Sequence, residues 1–398
     1  LRESAAEYAR LMAQEMGKPI TQGRAEVEKC AWVCEYYAEE GARFLADEAI
    51  PTDAGQSFVT FRPLGVVLAI MPWNFPFWQV IRFAAPTLMA GNTAVLKHAS
   101  NVPGCALALE DLFRRAGFPP DVFRTVLVDS KVAQQLIKHR AVRAVTLTGS
   151  SAAGRAVGKQ AGAHLRKTVL ELGGSDPYLV LADADLDQAV ETCVQSRLIN
   201  SGQSCIAAKR FIVVDAVRED FTRRFVERMA RARVGDPLEA GTEVGPQARR
   251  DLRDGLHEQV ERSVADGAQV LLGGSPPAGD GSFYPPTVLA EVTKGMAAFD
   301  EELFGPVAAI VPARDEKAAI RAANDGPYGL GAAVFTQDEA RGRRIAATAL
   351  EAGSCFVNGL VKSDPRLPFG GIKSSGYGRE LGGWGIREFV NVKTVWIR

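Results

Sequence analysis

Val142-Arg143-Ala144-Val145-Thr146-Leu147-Thr148-Gly149-Ser150-Ser151-Ala152-Ala153-Gly154 is the stretch on which the fold turns. Its first seven residues are largely apolar or β-branched, as in a strand buried on both faces, and the small residues after Gly149 open a helix. Glycine at 149 lets the backbone turn sharply between the two, so that the helix N-terminus faces the space beyond the strand's carboxyl end. The pattern is G-S-x-x-x-G rather than G-x-G-x-x-G, and on its own a packing turn explains it as well as a phosphate-binding loop.

Working outward, the same alternation repeats. Buried strands are expected at 66–70, 93–97, 123–128 and 168–171, with helices near 76–90, 102–116, 131–139 and 151–164 between them. Two helices, 1–16 and 24–48, precede this region, broken by Gly17-Lys18-Pro19. Strands alternating with helices at this spacing make a parallel sheet covered on both faces, an α/β Rossmann-like architecture. The pattern restarts at Asp176, with strands at 177–182, 210–214, 286–290, 306–311, 331–335 and 353–358. Helices at 185–198, 216–232, 248–266, 315–323 and 338–350 separate them, which makes a second α/β unit. The segment Leu271 to Pro286, with Gly273-Gly274 and Pro276-Pro277, reads as a surface turn region.

Composition narrows the class. The 398 residues exceed one ordinary core, and 47 basic residues balance 47 acidic ones, which removes the electrostatic footprint of a nucleic-acid or membrane-surface binder. The apolar run Leu64 to Ile81 contains Pro72, Asn74, Pro76 and Gln79, so it reads as strand, turn and helix rather than a membrane span. Six scattered cysteines without CxxC pairs argue against a disulfide framework or a metal site and for a reducing, cytoplasmic setting. The first residues, Leu-Arg-Glu-Ser, carry no secretory pattern and look like a shortened start. The arginine-rich run 223–233 is interleaved with Phe225, Val226 and Met229, as on a solvated helix face.

Polar groups gather at the ends of these elements. Asn200-Ser201-Gly202-Gln203-Ser204-Cys205 places one cysteine among small residues between a helix and a strand, where a thiol can serve as a nucleophile or simply fill a core. Glu171-Leu172-Gly173-Gly174 ends a strand with a carboxylate suited to general-base work or to capping a turn. Pro72-Trp73-Asn74-Phe75-Pro76 ends another with an amide suited to an oxyanion hole. Packing explains several such strand ends together less well than it explains any one of them.

These stretches, with Glu301-Glu302-Leu303-Phe304-Gly305-Pro306 and Pro368-Phe369-Gly370-Gly371, resemble the NAD(P)-dependent aldehyde dehydrogenase superfamily in order and spacing over essentially the whole chain. The resemblance implies a cofactor-binding domain (1–48 and 63–173), a catalytic domain (174–375) and a small β bridging element (49–62 and 388–398) that joins subunits. It implies that Cys205 adds to the aldehyde carbon, that Asn74 and the Cys205 N–H hold the oxyanion, and that Glu171 activates the water that hydrolyses the thioester. It assigns Trp73, Lys97, Ser100, Gly149, Ser150, Gly154, Glu302 and Phe304 to the cofactor. A glutamate three residues after Lys97 often marks NAD-preferring members; Ser100 stands there instead, so NADP is expected to be used at least as well as NAD. Ser100 could equally be the N-cap of the next helix.

Trp78, Arg82, Ser363 and Phe369 resemble the substrate side of succinate-semialdehyde dehydrogenases, with Arg82 and Ser363 on the carboxylate. The alternative for Arg82 is an ion pair with an acidic neighbour in the tunnel wall. Many members of that group carry an arginine six residues before the nucleophile; here it is Ile199, with Lys362 or Arg366 as replacements. A second cysteine two residues after the nucleophile is replaced by Ala207, so no local redox switch is expected. A broad or different semialdehyde dehydrogenase is the runner-up. A cofactor-independent cysteine hydrolase would need one of the four histidines (His98, His139, His164, His257) beside Cys205. Strands at 57–62 and 389–397 alternate polar and apolar residues and need a partner, which points to a homodimer or a homotetramer.

Overall fold

The computed structural model describes every residue except position 280. A six-stranded sheet runs in the order Gly376–Tyr377, Lys167–Glu171, Val142–Thr148, Val66–Met71, Thr93–His98, Phe123–Thr125. Its strands are parallel apart from Gly376–Tyr377. From Val66–Met71 the chain winds outward through Thr93–His98 in one direction, then returns to Val142–Thr148 on the other side. Connections leaving these two adjacent strands therefore diverge, and the crevice between them opens at their carboxyl ends. Pro72-Trp73-Asn74 and Gly149-Ser150 follow those two strands and so flank the crevice.

A seven-stranded sheet has the order Gln269–Leu272, Thr287–Ala290, Val307–Ala313, Arg210–Val214, Pro177–Val180, Gly331–Phe335, Ser354–Val357. It is parallel except at Gln269–Leu272. Its inner strands are buried along their whole length, which explains their unbroken apolar sequences. Gln269–Leu272 overlaps the first two residues of the stretch read as turn, Leu271 to Pro286. It is a short, exposed edge strand without apolar alternation, and Gly273 and Gly274 at positive φ end it.

Gln56–Pro63 and Val390–Ile397 pair antiparallel with each other, Val59 opposite Thr394, in a three-stranded sheet completed by Glu48–Ala49. The partner these alternating strands need on one edge is thus supplied within the chain. Val392 and Trp396, on one face of the last strand, are still more than half exposed.

The helix Ile20–Phe44 starts four residues earlier than the sequence suggests, with Pro19 as N-cap. It lies across Trp78–Met89, and Glu26 projects from it to accept the N–H groups of Phe77 and Trp78, both at 2.9 Å. That carboxylate satisfies donors that a helix start leaves open, and Lys18 neutralises it in a fully buried ion pair. The Trp78–Met89 helix, which carries Arg82, is therefore fixed by a side chain far away in sequence.

Candidate active site

The backbone before Cys205 is strained. Asn200 (φ 53°, ψ 40°), Ser201 (φ 57°, ψ 31°) and Gly202 (φ 76°) adopt the left-handed region in succession. Such a run persists only when its surroundings over-determine it, and here they do. Asn200 N–H donates to Gln22 (2.6 Å), and its side-chain amide donates to the carbonyls of Asn74 (2.7 Å) and Gln203 (3.0 Å). The Ser201 hydroxyl accepts from Gly245 N–H at 2.9 Å, and the Gly202 carbonyl accepts from the buried Arg197 at 2.7 Å. A Cβ on Gly202 would lie 2.2 Å from the Gly305 carbonyl, so the nucleophile loop and the Glu302-to-Pro306 loop interlock at two glycines.

Lys209, fully buried, donates to the carbonyls of Ser204 (3.0 Å), Cys205 (2.9 Å) and Ala207 (2.9 Å) and stands 3.9 Å from Glu302. It ties the nucleophile loop to the Glu302 carboxylate and was not singled out from sequence. A lysine at the head of the apolar run Phe211-Ile212-Val213-Val214 is the signal that could have found it.

Cys205 forms the floor of a cleft of about 260 Å³ lined by Trp73, Asn74, Thr148, Gly149, Ser150, Gly173, Glu302 and Phe304. Trp73 and Phe304 meet edge to face across it, with centroids 5.7 Å apart. Burial pushes the Cys205 thiol up to about 12, while Arg82 and Lys209 pull it back down. The resting nucleophile is accordingly a thiol held near two cations. Among the described residues the Cys205 N–H donates to no protein group, and Asn74, buried beside it, spends one amide hydrogen on Gln203 O at 3.1 Å. Two donors are left that can hold an oxyanion. No histidine lines the cleft; His98 is buried, its Nε2 donating to the Pro76 carbonyl at 3.0 Å and its Nδ1 accepting from Ala99 N–H at 2.9 Å.

The cleft suits a dinucleotide. Ser150 caps the helix Ser151–Ala163, so that helix presents its N-terminus to the cleft, and the Thr148 hydroxyl is buried without a partner. Gly149 has open space where a Cβ would be, with the nearest atom at 3.9 Å. Gly154, assigned to the cofactor with them, sits elsewhere: a Cβ there would meet Leu172 at 2.4 Å, so it serves close helix-to-strand packing. Glu302 accepts from Gly174 N–H at 2.9 Å. Lys97, on the strand next to Val66–Met71, and the exposed Ser100 lie outside this cleft. Val102, not Ser100, is the N-cap of Pro103–Arg115, which removes the capping role considered for Ser100.

Glu171 ends its strand fully buried, with neither carboxylate oxygen hydrogen-bonded. Desolvation, then the negative charge of Glu380, holds its carboxyl well above the usual range, against the pull of Arg82 and Arg379. Such a group is a proton acceptor in waiting.

Arg82 takes the ion-pair alternative. It meets Glu380 at 2.5 Å, both side chains buried, and stacks 4.9 Å over Phe369. Phe369 and Glu380 in turn exchange backbone hydrogen bonds of 2.7 Å, so the aromatic ring and the acid come as one unit. Arg82→Ala is expected to lower stability by about 3–5 kcal/mol, because it strands a buried carboxylate. Denaturant unfolding checks this: an unchanged midpoint for Arg82→Ala would show that the pair contributes nothing, and Arg82→Ala with Glu380→Gln should regain most of the loss. Neither Glu380 nor Lys29, described below, was singled out from sequence, because nothing local marks a residue whose partner lies hundreds of positions away.

A second cavity, about 610 Å³, is lined by Lys29, Trp78, Leu198, Ile199 and Leu360 and also by the charged Glu191, Arg228 and Glu243. Ser363 lies buried nearby and accepts from Lys29 Nζ at 2.7 Å. Arg366 pairs with Asp364 at the surface, away from any subsite.

The aldehyde dehydrogenase family model matches residues 1–395. A probable NADP+ succinate-semialdehyde dehydrogenase of Synechocystis is 52% identical over 98% of this chain and 86% of its own length. The Escherichia coli NAD(P)+ succinate semialdehyde dehydrogenase Sad is 52% identical over the whole chain and 86% of its own. The crystal structure of Streptococcus pyogenes succinic semialdehyde dehydrogenase with NADP+ superposes with a TM-score of 0.97 at 38% identity, covering 100% of this chain and 87% of that one. The match of the family model along the chain and relatives at 52% identity, together with Cys205, Asn74 and Glu302 lining one cleft, show that the chain belongs to the aldehyde dehydrogenase family.

Proposed function

We propose that the protein oxidises succinic semialdehyde to succinate, using NADP in preference to NAD. The observation that carries the chemistry is the free Cys205 N–H beside the Asn74 amide, on the floor of the cleft that Gly149, Ser150 and Glu302 line. Cys205 gives its proton to water in the cleft and its sulfur bonds to the aldehyde carbon. The carbonyl oxygen, now an alkoxide, is held by the Cys205 N–H and Asn74. A nicotinamide cofactor held by Gly149, Ser150 and Glu302 would supply the acceptor for the hydride that leaves this carbon, leaving a thioester on Cys205. Glu171 then takes a proton from water as the water oxygen attacks the thioester. The carbon–sulfur bond breaks, the thiol is restored and the carboxylate leaves. Trp73 and Phe304 wall the cleft, while Lys209 holds the Glu302 carboxylate that would orient the nicotinamide ribose.

The substrate assignment rests on relatives named as succinate-semialdehyde dehydrogenases and on the buried Ser363, which is hydrogen-bonded to Lys29. The cofactor assignment rests on Ser100, which brings neither bulk nor negative charge to the lysine-bearing strand end. Steady-state kinetics with both cofactors and a panel of aldehydes tests both. A higher kcat/KM is expected for NADP than for NAD and for succinic semialdehyde than for butanal. Ser100→Glu should reverse the cofactor order, since one carboxylate facing a phosphate is worth roughly tenfold or more. Equal use of all short aldehydes would leave a broad aldehyde dehydrogenase. The exposed Val392 and Trp396 on one face of the outer sheet support self-association as a homodimer or homotetramer, and the scattered cysteines support a cytoplasmic setting.

A further inference from the structure

The cations near the substrate side are not equivalent. Arg82 is already matched by Glu380. Lys29 is not matched: among the described residues it forms no ion pair. Its ammonium donates only to the Ser363 hydroxyl at 2.7 Å and lies 4.4 Å from the centre of the Trp78 ring. The acids closest to it in sequence or space are otherwise engaged. Glu26, one helical turn before, is held by Lys18 and two backbone N–H groups. Asp364 is held by Arg366. Burial and the positive charge of Arg82 together push the Lys29 amine down to about 8, so the two cations sense each other. Lys29, Arg82 and Glu380 thus leave one positive charge unpaired, facing a cavity whose remaining wall includes the apolar Trp78, Leu198, Ile199 and Leu360.

The acids that line the cavity with it, Glu26, Glu191 and Glu243, are paired with Lys18 and Arg228, and a half-buried ammonium left without a counterion is costly unless an anion arrives. We propose that Lys29 is the specificity-determining cation of this enzyme, receiving the carboxylate of the substrate tail together with the Ser363 hydroxyl. Ser363 accepts from Lys29 and keeps its own proton to donate, so the pair presents two donors to one carboxylate. Lys29 comes from the helix whose Glu26 caps the Trp78–Met89 helix, so the same contact that places Trp78 and Arg82 also places the cation. This inference rests on the reading of the chain as a dehydrogenase of a carboxylate-tailed aldehyde.

The test compares succinic semialdehyde with butanal on the full chain, for the unaltered protein and for Lys29→Met, Lys29→Gln and Lys29→Arg. In Lys29→Met and Lys29→Gln the ratio of kcat/KM for the charged aldehyde to that for butanal should fall roughly tenfold or more, through KM rather than kcat. Lys29→Arg should restore most of the ratio. An unchanged ratio in both neutral variants, equal losses on both aldehydes, or no recovery with arginine would overturn the assignment of Lys29. Should the unaltered protein itself show no preference for the charged aldehyde, the functional reading fails and the assignment with it. Should it show one that the neutral variants keep, only Lys29 is excluded. Lys29→Gln retains a polar end for Ser363 and supplies the measurement if the methionine variant is unstable.

Discussion

Cys205→Ala is expected to abolish NADPH formation from succinic semialdehyde, lowering kcat by roughly four orders of magnitude or more, while leaving cofactor affinity within a few-fold. The size follows from the absence of a substitute. Cys30, Cys105 and Cys193 are buried in the core, and burial holds all three thiols far above their usual range. Cys34 and Cys355 are pushed up to about 11 by burial, and neither lines the cleft. Alanine also spares the left-handed run at 200–202, because the hydrogen bonds holding that run come from Gln22, Gly245 and Arg197 rather than from the thiol. Absorbance at 340 nm gives the rate and fluorescence titration gives NADP affinity. Retention of more than about one per cent of the rate would place the nucleophile elsewhere.

Glu171→Gln is expected to separate the two halves of the reaction. The carbon–sulfur bond and the hydride step do not need the carboxylate, so a rapid burst of NADPH close to one per site should survive. Hydrolysis of the thioester needs it, and the steady-state rate should fall by about 10²–10⁴-fold. The pH dependence has a definite sign. Because burial and Glu380 raise the Glu171 pKa above the usual carboxylate range, the base form is scarce at low pH and grows as pH rises. The deacylation-limited kcat of the unaltered enzyme should therefore climb with pH, and the climb should be lost in Glu171→Gln. Stopped-flow NADPH formation checks both parts. A variant that loses the burst along with the steady state would give Glu171 a part in the first half-reaction.

Individual residues show how far the sequence could be read. Cys205, Asn74, Gly149, Ser150, Glu302 and Phe304 stand at element ends within recognisable motifs, and the fold gathers all of them around one cleft. Gly154 belongs to the same motif, yet its neighbour Leu172 gives it a packing role. Ser100 was weighed as a helix cap, but the helix begins later, at Pro103, whose fixed φ suits a first helical position. The edge strand at 269–272 carried no pattern, because it is exposed and has no apolar face to alternate.

By itself the sequence determined the α/β architecture and the family and pointed to the proposed reacting groups, since local periodicity and motif spacing carry that information along the chain. The tertiary structure alone decided how the charges divide. Arg82 is joined to Glu380, almost three hundred residues on, and Lys29 is left with Ser363, more than three hundred residues on. Which cation is neutralised and which stays available to a substrate depends on distances between elements remote in sequence. Coulomb energies at contact range in a poorly solvated site change by kilocalories over a few ångströms, and no local pattern encodes those distances.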